Sequence, residues 1–162
     1  ANRKPGKFST LIPDPILTKE KFNELKEKLE KLKKIQPTAA AEVSRLAELG
    51  DFSENVEYQM AKGRLRSINN NIIKLDNQLH AAIIVDGENK SGLVQVGSIV
   101  TVSVGGKEKV YKILGSVEAD PKKGIISYNS PIGAALISHK TKDVVNVNLT
   151  DKEVEYQILK VE

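Results

Sequence analysis

Two stretches of this chain repeat apolar residues at alternating spacings of three and four, on either side of a short polar break. Phe22, Leu25, Leu29 and Leu32 open the first, and Val43, Leu46 and Leu49 carry it to Gly50. Ala61, Leu65, Ile68, Ile72, Leu75 and Leu79 form the second. This is the period of a coiled-coil seam. Two such runs with a short connection bury their seams most simply against each other, which predicts an antiparallel helical hairpin. Arms of about 30 residues at 1.5 Å each make it on the order of 45 Å long. Thr18 is the expected N-cap of the first helix. Pro37 predicts a break or kink, with helix resuming at once. On the outer face, Glu24, Glu27 and Glu30 precede Lys28, Lys31 and Lys34 by four residues, the spacing of supporting ion pairs.

Composition narrows the function class. Aromatic residues make up only 4% of the chain, with no Trp, which suits a narrow helical seam. There is no Cys, so disulfides and thiolate metal sites are excluded, and a reducing cytoplasm is allowed. No apolar run approaches the roughly 20 residues of a membrane span. The net charge of +4 is compatible with an anionic partner. The two histidines, His80 and His139, fall in different regions and suggest no metal cluster or triad.

The break itself is Gly50-Asp51-Phe52-Ser53-Glu54-Asn55, the tip of the expected hairpin. Asp51 and Glu54 are three residues apart at a helix start, so both carboxylates share one side of the first turn. Two readings stand side by side. One is a capping arrangement, with Asp51 as N-cap and Glu54 at the third position reaching back. The other is a divalent-metal or acid/base site. Magnesium takes about six oxygen ligands, more than two carboxylates supply, so a metal here requires a second molecule to complete the site. Arg45, Lys62, Arg64 and Arg66 lie nearby. Lys62 and Arg66 are four apart on one helix face, where like charges cost roughly 0.2–0.5 kcal/mol unless an anion lies between them. A solvated face and a phosphate-binding patch both fit.

Past Asp86-Gly87-Glu88-Asn89-Lys90-Ser91-Gly92 the period changes to alternation. Val100, Val102 and Val104 share a strand face, Gly105-Gly106 signals a hairpin turn, and Glu108–Leu114 returns. Ile125–Tyr128 is a third strand, and Ser130-Pro131 opens a short helix with Ser as N-cap. Val145, Val147 and Leu149, then Val154, Tyr156 and Ile158, complete a small, mainly antiparallel sheet. The expected class is α+β: a mobile extension over 1–14, a hairpin over 15–85, a linker over 86–93 and a sheet domain over 94–162.

The run from Gly50 to Tyr58 closely resembles the tip motif of bacterial Gre transcript cleavage factors of the GreA type. Ile126-Ser127-Tyr128-Asn129-Ser130-Pro131-Ile132-Gly133 and Val154-Glu155-Tyr156-Gln157-Ile158 also look like that family, in the right order, and the likeness spans about Pro15 to Glu162. It implies a coiled-coil hairpin followed by an FKBP-like domain. By resemblance, that domain docks at the rim of the RNA polymerase secondary channel, and the tip reaches the active centre. There Asp51 and Glu54 help hold a magnesium ion shared with the polymerase, and the 3′ end of backtracked RNA is cleaved. The implied protein is a monomeric, cytoplasmic polymerase cofactor, not an enzyme by itself. The alternatives are a homologue that enters the channel and inhibits polymerase without stimulating cleavage, and an adaptor with no tip chemistry. The family's RNA-contacting patch falls here on Lys62, with Arg45 standing in for a basic residue where this chain has Ala47, and Arg66 beside them. Ser138 stands where the family often has Gly.

Overall fold

The computed structural model describes residues 13–49 and 55–162. The chain divides into two compact units, Glu20–Ala82 and a second that joins the residues up to Lys19 with Ile83–Glu162.

The first unit is a pair of helices, α1 (Lys19–Ala47) and α2 (Val56–Ala81). Leu25, Leu29 and Leu46 are buried on α1, as are Ala61, Ile68 and Leu75 on α2. Phe22, Leu32, Val43, Leu65, Ile72 and Leu79 are half-buried beside them. The pairing is antiparallel: Phe22 and Leu29 share one groove with Asp76 and Leu79, whereas Val43 shares another with Lys62 and Leu65. Three expectations fail. Helix α1 runs unbroken through Pro37, whose ring is exposed, so water can reach the carbonyl left without its N–H donor. Leu49 does not continue the seam; it follows the end of α1 and is exposed. Among the described residues none of the three acid–base pairs closes, and Glu24 instead meets Lys21 at 3.0 Å. Exposed pairs gain little against side-chain entropy, so their partners are weakly specified.

The second unit is built on a five-stranded sheet in the order β5-β4-β3-β7-β6. Its strands are β3 (Ile99–Val104), β4 (Lys107–Leu114), β5 (Ile125–Ser127), β6 (Val144–Leu149) and β7 (Lys152–Val161). All neighbours are antiparallel except β4 and β5. Gly105 and Gly106 both take positive φ (57° and 75°), as a tight turn between right-twisted strands requires. The inward set Val100, Val102, Ile113, Val145, Val147, Tyr156 and Ile158 forms the core with Val94 and Leu136. Leu136 comes from the short helix α3 (Pro131–Leu136). Ser130 caps it, its Oγ accepting from Gly133 N at 3.0 Å, with Pro131 in the first turn as its sequence predicted. Gly133 has no alternative, because a Cβ there would overlap Ser127 O. After α3, Ser138 and Lys142 hold φ of 69° and 78°, and His139 Nδ1 lies 3.3 Å from Asp143 Oδ2. Ser138 therefore occupies a left-handed position, the backbone region that favours Gly.

The sheet unit begins earlier in the chain than the alternation pattern suggests. Strand β1 (Ile16–Thr18) pairs in parallel with β2 (Ile83–Val85). Leu17 is fully buried. Glu118 accepts from Thr18 N at 2.9 Å and from Thr18 Oγ1 at 2.6 Å. Asp14, expected in a mobile extension, accepts from Ile16 N (3.0 Å), Ser116 N (2.9 Å), Ser116 Oγ (3.0 Å) and Tyr128 OH (3.4 Å). Partial burial opposes its ionisation, but these bonds outweigh it and hold the carboxyl below its usual range. The expected linker is also partly tied down. Asn89 Nδ2 donates to Leu93 O at 2.7 Å and to the buried Ser98 Oγ at 3.0 Å.

Candidate functional site

The candidate site is the end of the helical pair. Asp51 and Glu54 lie outside the described residues, but the chain on both sides is defined. After Ala47, Glu48 N bonds Ser44 O at 3.2 Å and Leu49 N bonds Leu46 O at 3.3 Å, so the helix closes in a turn. On the far side α2 starts at Val56, and its N-cap is Asn55, with φ −84° and ψ 99°. Asn55 Oδ1 accepts from Tyr58 N at 3.1 Å. The capping arrangement expected for Asp51 and Glu54 is therefore not how α2 begins. Asn is as good an N-cap as Asp, and it stands directly before the first helical residue. The sequence pattern points to Asp51 for this task and misses Asn55.

Three basic residues were singled out beside the tip, and they are not brought together as one patch. Lys62 and Arg66 line one groove of the hairpin with Val43, Leu65, Asn69 and Asn70. Lys62 Nζ lies 5.2 Å from the centroid of the Tyr58 ring, a cation–π contact that holds the ammonium along the helix face. Among the described residues Arg66 has no carboxylate within ion-pair distance. Arg45 is differently placed. It grips Glu42 with both ends of the fork, Nη2 to Oε1 at 2.7 Å and Nε to Oε2 at 3.0 Å. That bidentate bond lowers the Glu42 pKa and raises that of Arg45. Arg64 adds to the first effect and Glu57 to the second, both across the helix pair. Arg45 thus has a carboxylate partner on its own helix, which spacing alone did not reveal, although both groups are exposed and the pairing is readily exchanged.

Among the described residues no three His, Cys, Asp or Glu side chains gather closely enough to hold a metal. The carboxylates of Asp51 and Glu54 are of the hard-oxygen type that magnesium takes, but they are two donors for about six positions. The donor set fits a shared site and not a complete one. No described helix is long and apolar enough to cross a membrane.

Comparison with known proteins extends over nearly the whole chain. Residues 15–84 match the family described as "Transcription elongation factor, N-terminal", and residues 89–162 match "Transcription elongation factor, GreA/GreB, C-term". Transcription elongation factor GreA of Clostridioides difficile is 40% identical over 151 residues, covering 90% of this chain and 94% of that protein. GreA of Pelobacter propionicus is 40% identical over 149 residues, with the same coverage. Among solved structures, the GreA factor homolog 1 (Gfh1) of Thermus thermophilus aligns over 90% of this chain and 97% of its own. Its identity is 25% and its TM-score 0.41, too low to transfer structural detail. With both halves matched in order, and relatives 40% identical along nine-tenths of its length, the chain belongs to the GreA/GreB family of transcription elongation factors.

Proposed function

We propose that this protein acts on RNA polymerase as a transcript cleavage factor. The helical pair enters the secondary channel of the polymerase and delivers Asp51 and Glu54 to the active centre. There the two carboxylates complete a magnesium site that the polymerase holds in part. A second metal at a phosphodiester stabilises charge on the attacking and leaving oxygens. The chain's own share is to place two oxygen donors, to orient the water through hydrogen bonds to them, and to keep cations along the RNA. Lys62 and Arg66 take the phosphate contacts. Arg45, already paired with Glu42, contributes less. The protein is a monomeric, cytoplasmic cofactor and hydrolyses nothing alone.

The observation that carries this reading is the cap of α2. Asn55 supplies it, so Asp51 and Glu54 are not needed to start that helix. Two acids three residues apart in sequence and spared from that task are free for another one. The uncompleted donor set, the helical pair and the family membership all point to a site shared with a partner. The test is RNA cleavage in stalled elongation complexes of the cognate polymerase. We expect added protein to shorten the backtracked RNA and restart elongation, and no cleavage of free RNA. Inhibition without shortening would reject the reading in favour of a channel-blocking homologue.

A further inference from the structure

Three grooves of the hairpin can be compared. One sets Glu27 and Glu30 among Lys26, Lys31 and Lys34, and a second sets Glu30 and Asp76 beside Lys26 and His80. Their charges largely answer one another. The third, lined by Val43, Lys62, Leu65, Arg66, Asn69 and Asn70, has two cations, two carboxamides and no acid. Asn69 and Asn70 sit in the interior of α2 although Asn is among the poorer helix formers. Among the described residues neither carboxamide has a hydrogen-bond partner in the protein. Asn69 is half-buried and Asn70 exposed, so both carboxamides remain open to a partner from outside. From Lys62 to Asn70 the groove rises roughly 12 Å at 1.5 Å per residue. At about 3.4 Å per stacked nucleotide, that takes about three nucleotides.

The chemistry changes along this line. Lys62 and Arg66 only donate, which suits phosphate oxygens. A carboxamide both donates and accepts, which suits a ribose 2′-hydroxyl, itself donor and acceptor. We propose that Asn69 and Asn70 bind the ribose hydroxyls of single-stranded RNA, extending the phosphate contacts of Lys62 and Arg66 farther from the tip. The groove then distinguishes RNA from DNA by its sugar, at a point where the flanking cations do not. This assignment rests on the proposed cleavage role, which lays RNA along the helix.

The test uses the full chain in stalled elongation complexes whose extruded RNA carries a photoreactive nucleotide. Wild-type protein should crosslink within residues 66–70. The double variant Asn69→Ala, Asn70→Ala keeps good helix formers in place, so the helix persists, as a circular dichroism spectrum verifies. It should lose that crosslink and need about five- to tenfold more protein for half-maximal cleavage, the loss of one or two hydrogen bonds. Its rate at saturation should be unchanged. Replacing the extruded ribonucleotides by 2′-deoxy ones should weaken the wild type by a similar factor and leave the double variant unaffected. Equal half-maximal concentrations in wild type and variant, or a crosslink that maps elsewhere while cleavage proceeds, would overturn the assignment and leave the cleavage role standing. Absence of cleavage by the wild type would reject the cleavage role, and the crosslink map would still decide for or against the groove.

Discussion

The helical pair and the sheet unit solve the burial problem differently. In the sheet unit Leu17, Val100, Val102, Ile113, Leu136 and Ile158 are entirely out of solvent. In the helical pair even the best-buried seam residues, from Leu46 at 3% to Ala61 at 9%, keep some exposure. Leu49, Val56 and Met60, next to the tip, are exposed by 66% to 69%, the highest values among the large apolar residues described. A two-helix seam has no second layer to close over it, whereas a sheet with a helix on one face does. One unit closes its core fully, and the other leaves large apolar side chains exposed next to the tip.

The largest expected effect tests that contrast in the sheet unit. Leu17→Ala should destabilise it by about 2–5 kcal/mol, the range for emptying a buried leucine site. Three of the four tyrosines, Tyr111, Tyr128 and Tyr156, belong to this unit, so in a Tyr58→Phe background tyrosine fluorescence during urea unfolding follows it. An unchanged midpoint would mean that β1 is dispensable. For the same reason, a fragment starting at Asp86 should be much less stable than the sheet pattern alone suggests. It lacks β1, β2 and Asp14.

Asp14 comes next, because four hydrogen bonds converge on its carboxylate. Its folded pKa lies below the ordinary value. Its contribution is therefore complete above about pH 4 and is lost as pH falls through the lower, folded value. Urea midpoints of wild type and Asp14→Asn measured from pH 6 downward should differ most at the top and converge in acid. A constant difference would contradict this.

At the tip-proximal end, Asn55→Ala should cost about 1 kcal/mol, the usual loss of an N-cap, read from the helical circular dichroism signal. The smallest effect has the opposite sign. Ser138→Gly should stabilise the sheet unit by about 0.5 kcal/mol: relief of a left-handed Ser, offset in part by the greater freedom of unfolded Gly. A lower melting temperature for this variant would mean that the Ser138 side chain has a role its backbone conformation hides.

Legibility followed the range of the interaction. Leu25, Leu29, Ile68 and Leu75 were readable because a helical period repeats within a few residues. Gly105-Gly106 and Ser130-Pro131 were readable because turn and cap chemistry is local. The pairing of Ile16–Thr18 with Ile83–Val85 joins segments separated by the whole helical pair, and neither three-residue strand shows a period by itself. The Arg45–Glu42 pair was missed because several partners compete at an exposed helix face. Asn55 was missed as the cap of α2 because Asp51, an equally good cap residue, stands at capping-box spacing from Glu54.

Whether the tip needs the charges of Asp51 and Glu54 or only a well-capped helix is decided by one paired measurement. Asp51→Asn and Glu54→Gln each remove a charge while keeping the side chain's size and hydrogen-bonding capacity. Each variant is melted and then assayed for cleavage in stalled elongation complexes from the same preparation, with Asn55→Ala alongside. Both charge variants should melt like the wild type and lose cleavage by at least about ten- to a hundredfold, what loss of even an outer-shell partner costs a metal site. Raised magnesium or manganese should restore part of it. Asn55→Ala should lose stability and keep most of its cleavage. If Asp51→Asn and Glu54→Gln instead cleave as well as the wild type, the two acids are not the chemistry of the tip, and the account fails.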